Sequence, residues 1–152
     1  MKGKVLNIME KLYTALNKQV ANLSVFFTKL HHYHWYVEGP QFYQLHEKFE
    51  ALYDEMNELY DEFAERLLMI GGKPLSTLKS YLETASIKEA TNTPDQMGMV
   101  KAILEDIKLI NKELGEALQI AQDQGDEVTA DLIIGTMSSF EKHIWMLSAT
   151  LK

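Results

Sequence analysis

The stretch from Gln41 to Ile70 constrains this chain most, because one helix drawn through it has two distinct faces. A turn of about 100° per residue puts Phe42, Leu45, Phe49, Leu52, Met56, Leu59, Phe63 and Ile70 on one apolar arc. That arc is predicted to face the chain's own core. His46, Glu50, Asp61 and Glu65 fall on a second arc, roughly opposite. His46 and Glu50 stand one turn apart, so both can reach one ion, and Asp61 and Glu65 repeat the spacing. The two pairs cannot share an ion within one chain. Glu50 and Asp61 lie about 16 Å apart along the axis, whereas a metal–ligand bond spans about 2 Å.

An antiparallel copy of the same helix removes the difficulty. A two-fold axis between Glu55 and Met56 sets His46 opposite Glu65 and Glu50 opposite Asp61. Such an isologous contact is the commonest kind in homo-oligomers. The spacing therefore predicts two identical metal sites at a dimer interface. The competing reading is a solvated acidic face that carries one stray histidine.

The 152 residues suffice for one domain with a real core, and we read residues 1–152 as that single domain. No apolar run approaches a membrane span, and Met1 to Lys11 lacks the apolar stretch of a signal peptide. The absence of cysteine excludes disulfides and thiolate metal sites. Nitrogen and oxygen ligands then favour iron, manganese or zinc over copper(I). The expected address is the cytoplasm. Net charge is −7, and Lys2 and Lys4 are the only basic residues before Lys11. The sequence ends at Lys152 with no basic tail, so direct DNA binding is not expected. A negative particle would instead attract cations.

Four long helices are predicted. The first runs from Val5 to Val37, with Val5, Met9, Leu12, Leu16, Leu23, Leu30 and His34 near one stripe, and stops at Gly39-Pro40. The second is the helix above, stopped by Gly71-Gly72 and Pro74. Thr93-Pro94-Asp95-Gln96 reads as a capping box that opens the third, with proline at its first position. Gly125 closes it. The fourth runs from about Asp126 through Leu132, Thr136, Phe140, Ile144 and Leu147. About twenty residues, with a short helix at Leu78–Thr84, separate the second helix from the third. The class is all-α, a four-helix bundle with one long crossover. Bundles that hold two metal ions internally carry a Glu-x-x-His on two of their helices. None of the five histidines has a Glu three residues before it. Glu105, Asp106, Glu113 and Glu141 supply no substitute, so an internal site is disfavoured.

One set of motifs is more specific. His34-Trp35-Tyr36-Val37-Glu38-Gly39-Pro40-Gln41-Phe42, then Leu45-His46, then Asp61-Glu62-Phe63-Ala64-Glu65-Arg66, then Gly71-Gly72, resembles the Dps family, the mini-ferritins. The resemblance spans essentially the whole chain and implies a ferritin-like bundle. It implies that His34, His46 and Glu50 of one subunit meet Asp61 and Glu65 of its two-fold mate around two iron ions. Zinc or manganese could occupy the same positions. Position 50 is usually Asp in the family and is Glu here, which is expected to tune the site while keeping its charge. The resemblance further implies a homo-oligomer, a hollow twelve-subunit shell built from two-fold dimers. That shell would be a ferroxidase that oxidises Fe(II), preferentially with hydrogen peroxide, and stores the ferric product. Protection of DNA would be indirect, with nucleoid association the alternative that the family name invites.

Other residues carry two readings each. His31 is an additional metal or supporting group, or a packed ring; His32 is a surface residue and His143 structural. Trp35 and Tyr43 either donate electrons near an oxidising site or pack an interface. The methionines fill the core. Asp123, Asp126, Glu127 and Asp131 are caps and dipole partners. Alternatively, Asp131, Asp126 and Asp123 line the pore through which the family draws iron inward.

Overall fold

The computed structural model describes residues 2–152, without the side chains of Lys2, Lys4, Val5 and Leu6. Val5 of the predicted stripe and the two N-terminal lysines therefore have side chains outside the described residues. Among the described residues five helices are formed: α1 (Lys2–Tyr36), α2 (Phe42–Met69), α3 (Leu78–Thr84), α4 (Gln96–Asp123) and α5 (Glu127–Thr150). None of them is long and apolar enough to cross a membrane.

Helices α1 and α2 form an antiparallel hairpin, as do α4 and α5. The crossover runs the length of the bundle. Its start is tied beside the beginning of α1, where the Tyr13 hydroxyl donates to Ile70 O at 2.7 Å. Its far end lies beside the end of α1, where His32 Nε2 meets Thr93 Oγ1 at 3.0 Å. Phe26 of α1, Phe49 and Phe63 of α2 and Phe140 of α5 are fully buried between the helices, with Met99 of α4. Each such side chain contributes about 1.5–3 kcal/mol through its removal from water.

Two helix ends follow from glycine. After α2, Gly72 N donates to Leu67 O at 2.7 Å and Gly71 N to Leu68 O at 3.1 Å. Gly71 holds φ +90°, which only glycine adopts freely. Gly125 ends α4 with the same pair of bonds, Asp126 N to Ala121 O and Gly125 N to Gln122 O.

The start of α4 differs from expectation. Asp95, not Thr93, caps it, accepting from Gly98 N at 2.8 Å. The Thr93 hydroxyl is engaged by His32 instead, and Asp is the stronger cap. His32 is accordingly half-buried rather than a plain surface residue. The short crossover helix has the predicted bounds and opens with a true capping box, Thr77 with Ser80.

A buried polar knot pins the crossover to α1. Asn22 Nδ2 donates to Glu113 Oε1 at 2.9 Å, and Ser86 Oγ donates to the same oxygen at 3.0 Å. Asn22 Oδ1 accepts from Ser86 N at 2.7 Å. Replacing Asn22 with Ala strips partners from buried groups on three segments and should cost about 2–3 kcal/mol. Earlier thermal unfolding with faster proteolysis at residues 85–90 is expected; an unchanged profile would refute the pin.

Candidate metal centre

The turn at Gly39-Pro40 folds α2 back so that His34 and His46 stand side by side. Their rings stack with centroids 3.7 Å apart and an interplanar angle of 14°. His34 Nδ1 lies 2.7 Å from His46 O, and His46 Nδ1 lies 2.8 Å from His34 O. A carbonyl oxygen only accepts, so each Nδ1 must carry the proton. In the neutral ring Nε2 then keeps its lone pair, the form in which imidazole binds a metal. Neither Nε2 has a hydrogen-bond partner among the described residues. His34 O belongs to the last turn of α1, where carbonyls lack a helical donor. The His46 ring supplies that donor.

Glu50 lies one turn beyond His46, exposed. Its Oε1 accepts from the Tyr53 hydroxyl at 3.1 Å. Asp61 and Glu65 are exposed further along α2 and make no hydrogen bond or ion pair among the described residues. They lie about 22 and 28 Å along the axis from His46. The single chain therefore brings His34, His46 and Glu50 to one end of α2 and leaves Asp61 and Glu65 remote. Among the described residues, no group of three or more His, Asp or Glu side chains is close enough to hold an ion. The core-facing acids are otherwise engaged. Asp106 pairs with Lys29 at 2.7 Å, and Glu113 sits in the polar knot.

Tyr53 was missed in the sequence reading. Its spacing of seven from His46 and three from Glu50 placed it on their face, but nothing in the pattern separated it from core aromatics. Its ring stacks on His31 at 3.8 Å and meets His34 edge-on at 5.3 Å. His31 is a packed ring whose Nδ1 lies 3.0 Å from Phe27 O. Trp35 is 68% exposed with its ring 5.2 Å from His31; Tyr43 is 77% exposed beside Phe42, which stacks on His46 at 5.0 Å. The Ferritin-like domain family model matches residues 13–152. The DNA protection during starvation protein 2 of Bacillus anthracis is 53% identical over 93% of this chain and 97% of its own length.

The chain belongs to the Dps family of ferritin-like proteins. The crystal structure of a Dps protein from Bacillus brevis superposes with a TM-score of 0.94 at 45% identity, covering 96% of this chain and 98% of that one. A Dps protein from Vibrio cholerae, described as a member of a broad superfamily of ferritin-like diiron-carboxylate proteins, superposes with a TM-score of 0.92 at 34% identity, covering 96% and 92%.

At the other end of this Dps bundle the acids around the α4–α5 turn divide by role. Asp126 caps α5, accepting from Thr129 N at 3.0 Å, and pairs with Arg66 Nη2 at 3.2 Å. Arg66 also donates to Thr129 Oγ1 at 2.9 Å, which ties α2 to α5. Asp123 accepts from Gln119 at 2.8 Å. Asp131 is exposed and has no hydrogen-bond or ion-pair partner among the described residues. His143, with Ser139, holds Glu55 across the same helix pair, the His143 Nε2 to Glu55 Oε2 distance being 2.8 Å.

Burial alone would raise the Asp126 carboxyl, but the Thr129 hydrogen bonds and the Arg66 charge outweigh it and hold it below the usual carboxylate range. Its stabilising contribution is present above the unfolded value of about pH 3.9 and is lost as pH falls through the lower folded value. Asp126→Ala should cost about 1–2 kcal/mol at neutral pH. Its unfolding midpoint should converge on that of the parent in acid; a gap that stays constant with pH would contradict this account.

Proposed function

We propose that this Dps protein is an iron-storage ferroxidase whose two-metal centres form between two-fold related subunits. The observation that carries the reading is the imidazole pair. His34 and His46 are locked with both Nε2 lone pairs uncommitted, beside a carboxylate, at the end of a helix that carries two more unpaired carboxylates. Neutral imidazole and carboxylate form a donor set that fits Fe(II), and would also accept zinc or manganese. His34, His46 and Glu50 of one subunit would bind the substrate ions together with the partner subunit's Asp61 and Glu65. Two Fe(II) give one electron each, so hydrogen peroxide and two protons yield two water molecules and two Fe(III). Paired delivery avoids release of hydroxyl radical. The carboxylates stabilise the more highly charged product.

The ferric product would collect inside a hollow twelve-subunit shell built from these dimers. Asp131, free of a structural partner among the described residues, is the residue suited to draw cations toward that interior; Asp126 already serves as a cap, and Asp123 bonds Gln119. The net charge of −7 opposes direct binding to phosphates. Protection of DNA, the function named for its relatives, would then act through removal of iron and peroxide.

Anaerobic loading with Fe(II), a stoichiometric pulse of peroxide and sizing with joint detection of iron and protein test the reading. Ferric iron co-eluting with a particle of about twelve subunits is expected; a monomer or simple dimer would end the storage reading. Shared sites make a sharper demand. His46→Ala and Asp61→Ala should each abolish oxidation, yet subunits dissociated, mixed equally and reassembled should recover about one quarter of the sites, because each mixed dimer restores one intact set. No recovery would refute the shared centre. Asp131→Asn should slow iron uptake about threefold at low ionic strength without altering assembly, and the difference should shrink with salt.

A further inference from the structure

We infer that Tyr53 is a positioning residue that anchors the long arm of Glu50 for metal binding, an inference that rests on the proposed centre. The Tyr53 hydroxyl donates to Glu50 Oε1 at 3.1 Å across one helical turn. A carboxylate has lone pairs to spare, so Oε2 stays free for an ion while Oε1 is held. The phenol is itself immobilised. It stacks on His31 at 3.8 Å and 20°, with Phe27 edge-on to both rings at 4.5 and 5.9 Å. The His31 Nδ1–H is spent on Phe27 O at 3.0 Å, which fixes that ring in turn. Glu50 is otherwise exposed, and an exposed glutamate loses considerable rotamer freedom when it binds an ion. The hydroxyl removes that freedom beforehand. An Asp at position 50 would hold its carboxylate about 1.5 Å further back, out of reach of the same hydroxyl. The length of the acid and the phenol are therefore matched, and Tyr53 tunes the metal position that Glu50 serves.

The test is anaerobic titration of the assembled protein with Co(II), a non-oxidising probe, followed by ligand-field absorption. Tyr53→Phe keeps the ring and its stack. It should weaken Co(II) binding about tenfold, the scale of a hydrogen bond to a charged group, and change the absorption band while the unfolding temperature stays put. In a Glu50→Asp background the same change should alter affinity less than about twofold. Equal loss in both backgrounds would overturn the anchor and leave Tyr53 as packing. His46→Ala separates the two readings. If it abolishes Co(II) binding while Tyr53→Phe is silent, the anchor falls and the centre stands. If both variants bind normally, both fall.

Discussion

The two hydrogen bonds exchanged between the imidazoles of His34 and His46 and each other's backbone carbonyls set the terms for the rest of the site. They put a proton on Nδ1 of both rings, since a carbonyl can only accept. They join the last turn of α1 to the first turns of α2, and so fix how the hairpin closes. They also satisfy a carbonyl that the end of α1 would otherwise leave without a donor. A rotation of either ring would break the hydrogen bond that it donates and leave the other residue's carbonyl without its donor. Closure of the hairpin and the orientation of both rings are therefore served by the same four atoms.

Among the described residues, the bundle interior groups no three His, Asp or Glu side chains that could hold a metal. Its acids are committed: Glu113 accepts from Asn22 and Ser86, and Asp106 faces Lys29. Burial pushes the Asp106 carboxyl up, against the pull of the lysine, so this acid tolerates its position only because of the pair. Between α2 and α5, Glu55 is held by His143 and Ser139. With these side chains engaged, Glu50, Asp61 and Glu65 on the outer face of α2 and Asp131 on α5 remain exposed to an ion.

The outer face of α2 is also where the aromatic groups gather. Tyr43, Phe42, His46, His34, Tyr53, His31 and Trp35 form a series in which each ring lies within 5.4 Å of the next. Dispersion and edge contacts in such a series hold ring orientations more firmly than exposed side chains on a lone helix could. The rigidity that the proposed two-metal centre would need is supplied in part by this packing.

The sequence by itself determined the helices, their stops at Gly71-Gly72 and Gly125, the crossover helix and the ligand candidates on α2. These are properties of short spacings: the apolar period, the φ freedom of glycine and the i, i+4 reach of side chains. The distance argument on Glu50 and Asp61 needed only the helical rise. The start of α4 was misread by two residues because Thr93 meets His32, a partner sixty-one positions away. The tautomers of His34 and His46, the spending of Glu113 and Asp106 and the capture of Asp126 by Arg66 were decided by tertiary structure. Each depends on which groups from separate helices come within about 3 Å, and no periodicity along one chain encodes that.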